Sequence, residues 1–347
     1  MSGGAVVEMP TVHGAPLRPG DALRLDGHAH AWIDPAPGVA GGATIALRDE
    51  ARQRAGLADF ARAALWGDGT PRRAALLDCQ PPGAGRDARA LARLAAATGV
   101  AIAACTGFHL AAYYPDGRRP WAGADEAADA FRTELEVGLA ELPERRAAVV
   151  KAAHTGRLGD DAPYWDAAIA ARQATGALLL MHTERGAGVE ALLAWLLACG
   201  APADRLYLCH VDKRPDVGLH LELARAGVLL GYDTFLRPAY DPERTTWPLV
   251  RALLEADLAD ALALGLDLAP AAMWPAEGRA TLGATTGGGP AGVTGPAALA
   301  NLVEPRLRAL GAGRNTVDAL LGGNLLARAA RAPDAAPPDA APPAATH

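Results

Sequence analysis

Eight short apolar runs recur along the chain, each followed by a longer stretch of helical character. The first leads into Leu25-Asp26-Gly27-His28. AALLDCQ (74–80), AIAACTG (101–107), AAVVKAA (147–153) and ALLLMHT (177–183) follow, then RLYLCHV (205–211), VLLGYDT (228–234) and ALALGLD (261–267). Continuous rather than alternating apolar runs suit parallel strands buried on both faces. Between them, DARALARLAAATG stops at Gly99, GVEALLAWLLACG at Gly200 and LHLELARAG at Gly227, each placed as a helix C-cap glycine. Strand, helix and loop repeated in this way over 347 residues predict a (β/α)8 TIM barrel. A doubly wound open sheet would want a Gly-rich phosphate turn after its first strand, and the sequence has none there.

The barrel is expected over residues 21–331. Residues 1–20 precede the first strand and read as an N-terminal extension or hairpin, while the Pro/Ala repeats of 332–347 read as a disordered tail. The Gly/Pro-rich stretch 269–300 is long for a strand-to-helix loop and is expected to be a lid or specificity element. A formal net charge of −6 offers no basic face to a phosphate backbone, so nucleic acid is not an expected partner. No apolar run approaches the roughly 20 residues that cross a bilayer. Four scattered cysteines without C-x-x-C pairing, and an N-terminus without a signal-peptide pattern, point to a cytoplasmic protein.

Polar residues close the apolar runs. They are His28 and His30 on the first, Lys151 on the fourth, His182 on the fifth, His210 on the sixth and Asp267 on the eighth. In a closed barrel these ends open onto one face, where active sites are found. Neutral imidazoles with a carboxylate are the donor set of Zn, Mn, Co, Fe or Ni. Lys and Arg together number 33, yet only Lys151 and Lys213 are lysines. A lysine seated in an apolar run loses hydration, which favours the neutral amine. A neutral amine can take up CO2, and the carbamate behaves as a long carboxylate that can bridge two metals. Arginine cannot do this, so coding bias alone does not explain where the two lysines sit.

This pattern resembles the phosphotriesterase-like family of the amidohydrolase superfamily, and within it the lactonase-type members. The resemblance covers about residues 11–331. It runs through TVHG (11–14), LDGHAH (25–30), GRDARALARLAAATGVAIAACTGFH (85–109) and VVKAAHTGR (149–157). It continues through LLLMHTERG (178–186), LYLCHVDKRPD (206–216), GYDTF (231–235), VEPRLRALG (303–311) and Gly322-Gly323-Asn324. The resemblance implies a binuclear metal centre at the C-terminal ends of the strands. His28, His30 and Asp267 would hold the buried metal, His182 and His210 the more exposed one, and carboxylated Lys151 would bridge them. Zn is the favoured ion, and a metal-bridging hydroxide would be the nucleophile, with Asp267 as its general base.

Substrate class is read from the departures. Organophosphate-hydrolysing members carry a relay Asp three residues after the second lone His, and a His after the strand-7 Asp. Here those positions are Lys213 and Thr234. Lys213 and Arg214 are adjacent cations at the mouth of the site and suit an anionic substrate group. Tyr113, Tyr114, Arg237 and Trp274 are further pocket candidates. The expected activity is hydrolysis of a lactone ester, with a sugar or phosphorylated sugar lactone favoured. The alternatives are an aryl phosphotriester hydrolase, an amide-ring amidohydrolase and a metal-dependent deoxyribonuclease; the last would use Glu on strand 4 and favour a basic face. Homodimers are common among barrels of this kind, but the sequence specifies no interface.

Overall fold

The computed structural model describes residues 7–39, 46–66, 70–159, 161–237, 240–267 and 295–331. Its eight strands form one sheet in chain order, and every adjacent pair is parallel. They are β1 (Leu23–Ala29), β2 (Arg73–Asp78), β3 (Ala101–Gly107), β4 (Val149–His154), β5 (Leu179–Thr183), β6 (Leu206–Cys209), β7 (Leu229–Tyr232) and β8 (Leu262–Leu264). Helices α1 (Glu50–Trp66), α2 (Ala88–Thr98), α3 (Ala124–Glu136), α4 (Ala162–Thr175), α5 (Val189–Ala198), α6 (Val217–Arg225) and α7 (Thr246–Glu255) follow β1 to β7 in turn. This is the (β/α)8 barrel that the alternation of runs predicts. Trp274, the 269–294 part of the long loop and the 332–347 tail lie outside the described residues.

Local chemistry explains the element ends. Asp87 caps α2 by accepting from the Ala90 N–H, and Gly99 closes it in the left-handed region at φ 74° with its N–H on the Ala95 carbonyl. Within the strands, alternate residues serve two cores. Leu25, Leu77, Ala103, Val149, Leu180, Tyr207 and Leu229 fill the barrel interior. Leu76, Ile102, Val150, Leu179, Leu208 and Leu230 instead pack outward with helix residues such as Phe60, Leu91, Phe131 and Leu192. Both faces are dry, which is why the runs are apolar without interruption. Near the N-terminus Met9 and Leu17 form an antiparallel bridge. Among the described residues no helix is long and apolar enough to cross a membrane.

The C-terminal segment packs onto the interior core through Leu325, Leu326 and Ala329. It is pinned by Arg24 on β1, whose guanidinium meets Glu304 at 2.6 and 2.8 Å and Asp318 at 2.7 Å. Arg24 and Glu304 are buried, so removing either costs the other its bidentate partner and leaves Asp318 on Arg24 or Arg308 on Glu304.

At the opposite end, β3 approaches β4 at Gly107, which pairs with Lys151 and lies at φ 97°. A Cβ there would sit 2.0 Å from the Lys151 carbonyl oxygen. No flexible side chain can yield, so only glycine allows the close pairing that seats the lysine. Gly107→Ala is expected to cost about 2–4 kcal/mol in urea unfolding through overpacking and a disfavoured backbone conformation. A loss under about 0.5 kcal/mol, the range of neutral surface changes, would show that the strand ends tolerate separation.

Candidate metal centre

The strand ends bring five histidines into one chain of contacts. Ring centroids of His30 and His28 are 5.6 Å apart, His28 and His210 4.5 Å, His210 and His182 4.7 Å, and His182 and His109 4.7 Å. Two groups within it could hold a cation: His28 with His30 and Asp267, and His28 with His210 and Asp233. His182 reaches the cluster because it continues the inward face of Leu178, just before β5, and Leu180 on it. His210 and Asp267 follow their strands in left-handed conformations, at φ 65° and 47°. Such backbone is sparsely populated by non-glycine residues and is held here by surrounding contacts. Lys151 is fully buried on β4, its Nζ donating to the Cys79 carbonyl at 2.6 Å.

Burial disfavours the charged form of four of these imidazoles, His28, His210, His182 and His109. It drives His28 well below its ordinary pKa, with His210 and Lys151 adding to the effect and Asp267 opposing it. His210 is lowered by burial and by the charge of Lys213, and His182 by burial against the opposing hydrogen bond of Glu184. Burial opposes the charge of Asp267 as well, but Arg237, His210, His30 and His28 outweigh it and hold the carboxyl well below its usual range. Asp233, without that degree of support, is pushed up to about 7 by burial.

His28 supplies the test of whether these residues suit metal ions. It is 1% exposed and neither ring nitrogen has a hydrogen-bond partner. Asp233 lies 3.7 Å from Nδ1 and Asp267 3.7 Å from Nε2, too far for hydrogen bonds. A buried polar ring without partners is expensive, and a divalent cation among two carboxylates and neutral imidazoles fits this donor set.

The residues singled out for substrate contacts take different positions. Arg237 is buried and ion-paired with Asp267 at 2.5 Å, and it also donates to the Asp267 carbonyl. Lys213 is half-buried, has no salt bridge among the described residues, and places its ammonium 5.2 Å from the centre of the Tyr240 ring. Arg185 approaches the same ring at 5.8 Å. Arg214 turns to Glu190, at 2.8 and 3.1 Å, and to Asp216. Tyr114 is packed in the core, its hydroxyl accepting from the His109 N–H. Tyr113 stacks on His109 at 4.1 Å.

Two site residues escape a reading of strand ends. Asp233 follows β7 and holds His210 twice, accepting from its backbone N–H at 3.2 Å and meeting Nδ1 at 2.9 Å. A carboxylate that orients a ligating imidazole is a common partner of metal sites. The signal for Asp233 is the polar GYDT ending of an otherwise apolar run. His109 sits beyond the end of β3 in the GFH sequence, and its position after glycine rather than on the strand conceals it.

A parallel eight-stranded barrel with histidine–carboxylate clusters at its strand ends is the architecture of the amidohydrolase superfamily. Within that class the chain belongs to the Phosphotriesterase family, whose model matches residues 39–324. It is 25% identical over 188 residues to the Phosphotriesterase homology protein of Escherichia coli (strain K12), covering 53% of this chain and 63% of that one. It is 26% identical over 210 residues to the Phospho-furanose lactonase of Mycoplasmopsis synoviae (strain 53), covering 55% and 59%. The chain thus spans somewhat less than two thirds of these relatives' length. The structure of Organophosphorus Hydrolase from Deinococcus radiodurans superposes with a TM-score of 0.72 at 25% identity, covering 93% of this chain and 98% of that one.

Asp233→Asn keeps the shape of the group that orients His210 while removing its charge. It is expected to weaken metal affinity about 10–100-fold, read by competition with a chelator. Affinity equal to wild type would reduce Asp233 to a backbone anchor.

Proposed function

We propose that the protein is a two-metal hydrolase that opens a lactone ester, with a sugar or phosphorylated sugar lactone as the favoured substrate. The observation that carries the substrate reading is Lys213. It stands beside the histidine cluster, close enough for its charge to act on His182, His210, Asp233, Asp212 and Glu184, yet it makes no salt bridge among the described residues. A half-buried ammonium beside a tyrosine ring is suited to a phosphate or carboxylate on the substrate. Similarity to a phospho-furanose lactonase supports the same class.

His28, His30 and Asp267 would hold one cation, His182 and His210 the other, and Lys151 would bridge them as a carbamate. That modification forms an Nζ–C bond to CO2 with loss of one proton. Zn is the favoured metal, and Mn, Co, Fe and Ni suit the same donors. Cations bound there supply Lewis acidity to the carbonyl and lower the pKa of the attacking water. Asp267, kept ionised by Arg237 and the histidines, receives the proton that the water loses. Addition of the water oxygen to the carbonyl carbon is followed by cleavage of the acyl C–O bond. The ring oxygen leaves, takes a proton, and the product is a hydroxy acid. Arg237 grips Asp267 through carboxylate and carbonyl, so the base is aimed by a residue that is itself buried.

Reconstitution with Zn or Mn in bicarbonate should load about two metal ions per chain. Lys151→Ala should lose metal and activity together; a variant that keeps both ions would refute the bridge.

The substrate is tested by turnover of phosphorylated and plain γ- and δ-lactones beside an aryl phosphotriester. The expected result is at least about tenfold higher kcat/KM for a phosphorylated lactone than for its plain counterpart, with Lys213→Ala raising KM about 10–100-fold and leaving kcat nearly unchanged. Faster turnover of the phosphotriester would overturn the lactone reading, and an unchanged KM would remove Lys213 from the site.

A further inference from the structure

His109 belongs to neither cation-binding group, yet the chain fixes each of its polar atoms but one. Its N–H donates to the Tyr114 hydroxyl at 3.0 Å, and its carbonyl accepts from Arg119 Nε and Nη2 at 3.1 and 2.9 Å. Its Nδ1 accepts the Leu110 N–H at 2.8 Å. The ring lies against Tyr113, with planes 13° apart, and is 4.7 Å from His182. Arg119 is held in turn by Asp161 at 2.8 Å and by the rings of Phe108, Tyr114 and Tyr164 at 5.1, 5.6 and 4.6 Å.

With Nδ1 accepting, a neutral imidazole carries its proton on Nε2. That nitrogen has no hydrogen-bond partner among the described residues. The residue is 5% exposed, and Nε2 stays accessible to solvent rather than sealed in the core. An immobilised ring beside His182 with one unpartnered N–H is arranged to meet an acceptor supplied from outside the chain.

We propose that His109 is a substrate-orienting donor whose Nε2–H hydrogen-bonds an acceptor oxygen of the substrate. For a lactone that oxygen is the carbonyl or ring ester oxygen, and this part rests on the proposed function. The bond orients the ester against the metal centre and disfavours substrates without an oxygen at that point. It transfers no proton.

His109→Phe keeps an aromatic ring against Tyr113 and removes the donor, while His109→Gln returns an N–H. In the Zn-loaded enzyme, Phe is expected to lower kcat/KM about 10–100-fold, the worth of one oriented hydrogen bond. Gln should recover part of the loss, and both variants should bind as much metal as wild type. The comparison uses whichever lactone or aryl phosphotriester the wild type turns over. Unchanged kcat/KM, or lost metal in both variants, overturns the proposal.

A second measurement needs no substrate. The imidazole 15N spectrum of the metal-loaded wild type should show His109 protonated at Nε2 and bare at Nδ1. The reverse tautomer, or Nε2 bound to metal, overturns the proposal even if every lactone is turned over. Failure of all lactones with this tautomer in place defeats the lactone reading and leaves the donor standing.

Discussion

Strands β1 and β8 are brought together by a side chain. Asp26 on β1 is fully buried, and its Oδ1 accepts from the N–H groups of His28 and Leu266, both at 3.1 Å. The Asp267 N–H then donates to the His28 carbonyl at 2.8 Å. Gly265 makes the approach feasible, since a Cβ there would lie 2.7 Å from the His28 nitrogen. One carboxyl thereby joins the first ligand candidates of the chain to the last, across 240 residues of sequence. Burial pushes its pKa up to about 8, a measure of how far the surroundings disfavour its charge. Asp78 works in the same way on the other side of β1, accepting from Ala31 and Gln80. The open end of the barrel is thus held by buried carboxyls at the points where regular pairing gives out.

Such an arrangement opposes the hydrophobic effect that forms the rest of the barrel. Below the strand ends both faces of the sheet are apolar; at the ends, histidines, aspartates and a lysine are buried together. Neutral imidazoles reduce the cost, and the Arg237–Asp267 pair offsets another part. Part of what remains uncompensated lies on His28 and His30, and part of the left-handed non-glycine backbone on His210 and Asp267. Some of the molecule's unpaired polarity and some of its left-handed backbone thus fall within the cluster that the donor chemistry selects. A barrel selected for stability alone would have no reason to place them together.

The barrel was legible because its signal is periodic: each run is apolar throughout, and Gly99, Gly200 and Gly227 punctuate the helices. The six strand-end residues were legible because a polar group closing an apolar run is conspicuous, and closure of the barrel makes them converge. Tertiary choices were not legible. Nothing local says that Arg214 will be taken by Glu190 while its neighbour Lys213 makes no salt bridge among the described residues, since Glu190 lies on another loop-and-helix unit. Nor does the GFH sequence reveal that Tyr114 turns inward to hold the His109 backbone. Asp233 shows in the sequence only as the polar end of the seventh run; its two hydrogen bonds to His210 are what a strand pattern does not encode.

The departures at Lys213 and Thr234 become intelligible through Asp212. Its carboxylate accepts from the N–H groups of Asp233 and Thr234, at 3.1 and 3.0 Å, and from the Thr234 hydroxyl at 2.6 Å. Thr234 Oγ1 also meets Thr246 at the start of α7, at 2.7 Å. A threonine at 234 thus serves as a short clasp between the loop after β6 and the loop after β7. That clasp fixes Asp233, and Asp233 fixes His210. Lys213 leaves the same 3-10 turn one residue after Asp212, so its position is set by the clasp as well. The cation that would meet the substrate and the imidazole that would meet the metal therefore share one support. Because that support ties the base of Lys213 to the His210 side of the cluster, an anion held at Lys213 would stand near the metal centre, and recognition of that anion would be a way of aiming the ester.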